Sequence, residues 1–193
     1  MNLERFCVKF LAQPDTQVDD AIFIDIFHEW IRKKTISGTL LDVADYRHVP
    51  TGPGIMLVTH EVNYAMDCGD GEFGLYAQRK LGYEKSLKDR ILGLVKATAN
   101  FGALLEEDSR IASQFKLRGN EFLFMSNDRL LAPNTDEAFA ALKSELEAIA
   151  PQLFTQRFPE GIITVGLSTG WIASGELKVC DPVGKVMLTT GAT

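Results

Sequence analysis

Residues 40–80 constrain the fold of this chain more than any other stretch. They read LLDVADYRHV, PTGPG, IMLVTHEVNYAMD, CGDG and EFGLYAQRK. Two turn-rich clusters separate three runs with strand character, which predicts a three-stranded antiparallel meander. Side chains alternate with period two along a strand. Met56, Val58, Val62, Tyr64 and Met66 are therefore expected on one face, with Leu57, Thr59, Glu61 and Asn63 solvated on the other.

His60 falls in the middle of the apolar row and breaks it. If residues 50–54 form the first loop, Val49 pairs with Ile55, and His60 stands opposite Ala44 with Asp42 and Tyr46 as diagonal neighbours. An Asp70-Gly71 turn pairs Gly69 with Glu72 and brings Arg79 opposite Val62. Asp42, Tyr46, His60 and Arg79 then form one candidate polar site. A one-residue slip of the first hairpin would send Asp45 and Arg47 to His60 instead. The commoner arrangement for a histidine on an apolar face is a core residue bonded to a carbonyl or carboxylate.

The rest of the chain supplies strands and helices to cover this meander. Residues 4–12 predict a strand with Phe6, Val8 and Phe10 on one face. Val18, Ile22, Phe23, Ile26, Phe27, Trp30 and Ile31 recur at helical spacing over residues 18–34, with acidic residues in the first turn and basic ones in the last. His28 lies on the polar side of that helix, near Asp25 and Arg32, where a surface ion pair is expected. Ser86 is placed to cap a helix reaching to about residue 113, in which Gly93, Ala97 and Gly102 would let another backbone approach closely. Residues 120–133 predict a second hairpin with Asn127-Asp128 at its tip. Asn134 and Glu137 have capping-box spacing for a helix that breaks near Pro151. ITVGLSTG, GELKVCD and KVMLTTG close the chain as strands.

This order predicts an α+β fold: one globular domain over residues 1–193, with an antiparallel, partly mixed sheet covered by helices. A ferredoxin-like βαββαβ core elaborated at its edges is the expected topology, with the first strand–helix–strand unit pairing in parallel.

Composition narrows the function classes. A net charge of −6 without a basic stripe excludes nucleic acid and anionic membrane surfaces as expected partners. The three cysteines are widely spaced, which favours reduced thiols and a cytoplasmic location. No apolar run approaches the length of a membrane span, and MNLERFCVKF has charges where a signal peptide needs its apolar region.

Three motif matches fail on context. Gly69, Gly71 and Gly74 fit G-x-G-x-x-G, but a strand follows where the motif needs a helix. Gly166, Ser168 and Gly170 fit G-x-S-x-G, yet all three histidines precede them. His28-Glu29 and His60-Glu61 lack the second histidine of a zincin. No metal or cofactor is expected.

Two function classes remain. One is a homo-oligomeric module that binds a small molecule or a protein on its sheet, motivated by sheet edges and the small-residue helix face. The other is a cofactor-independent enzyme, in which Asp42 orients His60, His60 serves as general acid or base with Tyr46 nearby, and Arg79 holds an anionic group.

Overall fold

The computed structural model describes residues 3–50, 52–68, 71–81, 85–128, 130–133, 135–153, 162–167 and 186–189. They contain β1 (Phe6–Ala12), α1 (Ile22–Lys33), β2 (Leu40–Asp45), β3 (Ile55–Thr59), β4 (Val62–Asp67), β5 (Gly74–Arg79), α2 (Leu87–Glu107), β6 (Leu117–Ser126), α3 (Asp136–Leu153), β7 (Ile162–Leu167) and β8 (Val186–Thr189). The strands form one eight-stranded sheet in the order β2-β3-β4-β5-β1-β6-β7-β8. Only β6 and β7 pair in parallel, across the crossover made by α3. The fold is α+β, with a mixed but mainly antiparallel sheet.

All three helices contribute to a core on one sheet face. Phe23, Phe27 and Trp30 of α1, Ile91, Leu94 and Phe101 of α2, and Leu142 and Leu146 of α3 pack with Phe6, Val8, Phe10, Leu57, Tyr64, Leu75, Phe122 and Phe124 from the strands. The Tyr64 ring stacks on Phe101 at 4.3 Å between centroids, and Phe6 stacks on Phe124 at 5.4 Å. Such pairs add to their area burial about 0.5–1.5 kcal/mol each. The start of α2 follows its sequence signal, the Ser86 hydroxyl accepting the Asp89 N–H at 3.1 Å, whereas α1 starts at Ile22 rather than Val18 and is closed by Lys34 in the left-handed conformation.

The first strand pairs on both sides with distant segments, antiparallel to β5 and to β6. The expected parallel pairing of β1 with β2 does not form, because β3, β4 and β5 stand between them. The ferredoxin-like expectation survives in one half. Strands β5 and β6, joined by α2, flank β1 as a split β-α-β unit.

The meander has four strands where the sequence predicts three. His60 and Glu61 form a two-residue turn that splits the long run, since Met56 pairs with Ala65 and Leu57 with Tyr64. The Thr59 hydroxyl holds this turn by donating to the Val62 carbonyl and accepting its N–H at 3.1 Å. A two-residue turn inverts the alternation. Leu57 and Thr59, expected in solvent, are buried, and Met56 moves to the opposite face from Val62, Tyr64 and Met66.

Two further expectations change. Residues 117–126 form one long strand rather than a hairpin, and α3 runs on to Leu153. Gly102 serves packing within the chain: a Cβ there would press into the Leu117 side chain. It is therefore not free to meet a second subunit. Asn134 and the stretch 175–181 lie outside the described residues; in the place of Asn134, the Thr135 hydroxyl accepts the Ala138 N–H at 3.3 Å.

Gly74, at the start of β5, is the tightest point of the sheet centre. A Cβ there would run into the Phe10 carbonyl oxygen and stand 3.1 Å from Lys9 Cε. Gly74→Ala is expected to destabilise the protein by about 1–3 kcal/mol through overpacking. Urea denaturation of the variant against wild type checks this, with the m-value unchanged.

Candidate functional site

The four residues expected to converge are spread along the meander. The first hairpin has a register displaced by four residues, with Ala44 opposite Met56 rather than His60. Its cause is the loop, which begins at Tyr46 rather than Pro50: the Tyr46 N–H already donates to the Gly54 carbonyl at 2.8 Å. Asp42 is exposed and lies opposite Val58, with its carboxylate turned onto the Val43 N–H at 2.8 Å. His60 is exposed in the β3–β4 turn, where its backbone N–H donates to the Thr39 carbonyl at 2.9 Å. Tyr46 sits beside Gly54, six residues from His60, or about 20 Å along a strand.

Arg79 does stand opposite Val62 as expected. It is buried on the helix-covered face, near Tyr64, and its Nη1 donates to the Leu81 carbonyl at 3.4 Å. Burial raises the Tyr64 phenol above its ordinary pKa, and the Arg79 charge opposes that rise. His28 is exposed on α1, with Nδ1 at 2.8 Å from the Ile24 carbonyl rather than in an ion pair.

The structure brings together two other groups. The first is on the sheet face opposite α1, α2 and α3. Lys9 of β1, fully buried, lies opposite Tyr76, while Leu11 and Asp67 flank Gly74 from either side. The lysine stem crosses β5 over the missing side chain of Gly74. Its Nζ donates to Asp67 Oδ2 at 2.8 Å and to the Glu72 carbonyl at 2.6 Å. Cys7, Met56, Ala65 and Tyr76 form a small buried cluster on the same face. Burial pushes the Tyr76 phenol well above its ordinary pKa, the neighbouring Cys7 adds to the rise, and the Asn127 side chain opposes it. The charges of this cluster hold each other, as a structural clasp does.

The second group is the loop that follows β2. Its backbone is pinned by three hydrogen bonds: Tyr46 to Gly54 at 2.8 Å, Val49 to Tyr46 at 2.9 Å and Gly52 to Val49 at 2.9 Å. Gly54 takes φ +65, and a Cβ there would be driven into the Met66 carbonyl oxygen. Glycine is therefore required at this close approach. The Arg47 guanidinium grips the Asp45 carboxylate in bidentate fashion, Nε to Oδ1 at 3.0 Å and Nη2 to Oδ2 at 2.6 Å. Tyr46 and His48 stack with centroids 6.5 Å apart. Tyr46, Arg47 and His48 are all exposed. Asp20, before α1, is close enough for its carboxyl to be raised by burial and lowered in turn by Arg47.

The pairing of Lys9 with Asp67 is not legible in the sequence, although each residue stands as a lone charge in or ending an apolar run. Arg47 entered only through a slipped register, and His48 not at all. Gly69, Asp70 and residues 168–170 of the two rejected glycine motifs lie outside the described residues, while Gly74 opens a strand.

No protein-family model, curated protein or solved structure matches this chain.

Two outcomes follow from this geometry. Removing one partner of the Lys9–Asp67 pair leaves the other charge buried, so Asp67→Ala is expected to cost about 3–5 kcal/mol, and Lys9→Met/Asp67→Leu together far less. A double-mutant cycle in guanidinium measures the difference. At the loop, Arg47 holds the Asp45 carboxyl down at about 2 against an ordinary 3.8. A depressed carboxylate keeps its contribution above its unfolded-state pKa and loses it as pH falls through the folded value. The Asp45–Arg47 clamp is expected to persist at neutral pH and weaken between 3.8 and about 2. Carboxyl NMR titration of wild type and Arg47→Ala reads this directly, the variant titrating higher.

Proposed function

We propose that this chain is a protein-binding module whose recognition element is the loop following β2, presenting Tyr46, Arg47 and His48. One observation carries the reading: three exposed side chains are set on a backbone pinned by hydrogen bonds and by a glycine in the left-handed conformation. Their contacts contribute little to the chain's own stability, since an exposed ion pair is screened by solvent. Side chains already ordered lose less entropy when a partner docks. Tyrosine and arginine are also the types that dominate interface energetics. An exposed loop suits a protein surface better than a small molecule, which binds in concave sites.

A second copy of the chain is one partner within this proposal, as a homo-oligomer assembled through the loop. The cytoplasm is its proposed compartment, supported by the odd number and wide spacing of Cys7, Cys68 and Cys180; Cys180 lies outside the described residues. Among the described residues no helix is long and apolar enough to cross a membrane, which supports an aqueous partner. The enzyme alternative, with His60, Asp42, Tyr46 and Arg79 acting together, gains no support from their placement.

A photo-crosslinking amino acid at position 46, irradiated in cells, tests the proposal. One discrete adduct is expected, and adding Arg47→Ala should weaken it at least several-fold without changing the melting temperature. An adduct near twice 21.4 kDa identifies a second copy, and another mass a different protein. The same amino acid at position 130, whose leucine is 94% exposed, supplies the background. A yield at 46 no higher than at 130 overturns the reading.

A further inference from the structure

Strand β2 is the edge of the sheet, and edges with unpaired N–H and C=O groups invite another strand. The Tyr46 N–H bonds inward to Gly54, so with period two Asp42 and Ala44 also turn their backbone groups toward β3. Asp45 turns its own outward, and so does Val43. Its N–H is taken by the carboxylate of the preceding residue, Asp42 Oδ1, at 2.8 Å. The pairing register shifts between Leu40 and Asp42, which bends the same edge. Leu41 is 53% exposed beside it.

We propose that Asp42 guards this edge, and that what it excludes is β2 of a second copy of the chain. A strand centred on Val43 is self-complementary about a two-fold axis. In an antiparallel β2–β2 pair, Leu41 would face Asp45 of the other copy, and Asp42 would face Ala44. The ladder would need the Val43 N–H that Asp42 occupies. Forming the pair therefore requires each Asp42 to release its bond, and it brings two carboxylates to the same small region. The apolar run of β2 thus stays at the edge without becoming an association site. This is a separate surface from the proposed recognition loop, and it acts against self-pairing rather than for it.

Sedimentation velocity on the full chain over a broad concentration range tests the guard. Asp42 is exposed, so Asp42→Ala is expected to keep the wild-type far-UV circular dichroism while gaining a concentration-dependent species at least double the wild-type mass. Asp42→Asn keeps an acceptor for Val43 and should sediment as wild type. Adding Leu41→Lys to Asp42→Ala should abolish the new species. Adding Leu81→Lys, at an exposed leucine beyond β5, should leave it intact. The proposal is overturned if Asp42→Ala sediments as wild type throughout, or if its association survives Leu41→Lys.

Discussion

The structure depends on a strand that has no solvent side. All seven residues of β1 are buried, with β5 and β6 bonded to its edges and the helices over one face. Phe6, Val8 and Phe10 meet the helices, which leaves Cys7, Lys9 and Leu11 on the other face. A charge there must carry its partner with it. Lys9 does so by crossing a glycine to reach Asp67 two strands away. Such a pair is a weak source of net stability, but it ties together the registers of β1, β5 and β4. A one-residue slip of β1 would drive the lysine into the aromatic core beneath the helices.

Order at the surface is concentrated at the other end of the meander. The loop after β2 combines a glycine that must approach the Met66 carbonyl with an arginine tied to its neighbour's carboxylate. Rigid scaffolds commonly carry recognition on loops. Here the scaffold is β3 and β4, whose apolar residues lock the loop ends in place. The adjacent edge is treated differently, since Asp42 turns its side chain onto the backbone rather than outward. One short segment thus joins the proposed recognition loop to the edge that Asp42 is proposed to guard.

How much of this was legible follows from turn chemistry. Val62 falls opposite Arg79, the register that counting outward from Asp70-Gly71 in the sequence predicts. His60-Glu61 announces nothing, having no glycine, asparagine or positive φ, and a threonine hydroxyl supplies the missing turn bond. Strict alternation runs on through that turn and puts His60 inside an apolar row, which in the structure ends at Thr59. The first hairpin failed for a related reason. PTGPG marks a loop but not its length, and the ordered turns at Tyr46 and Val49 extend it by four residues. Helices α1 and α2 were legible because periodicity and the Ser86 cap are local signals. Strand order was not, since partners of β1 are set by tertiary packing.

The position of β1 also bears on how the chain is made. Cys7 pairs with Gln78 on one side and Met125 on the other, so β1 is synthesised before either of its neighbours. Each of β2, β3 and β4 pairs with the strand that follows it and closes only a short loop, which costs little chain entropy. An emerging chain can therefore zip the meander while its N-terminal segment waits. FCVKFLA is apolar enough to be a hazard during that wait. The lysine at its centre then has an earlier use than its clasp on Asp67: a charge in the middle of the run keeps the unpaired strand soluble until its slot opens.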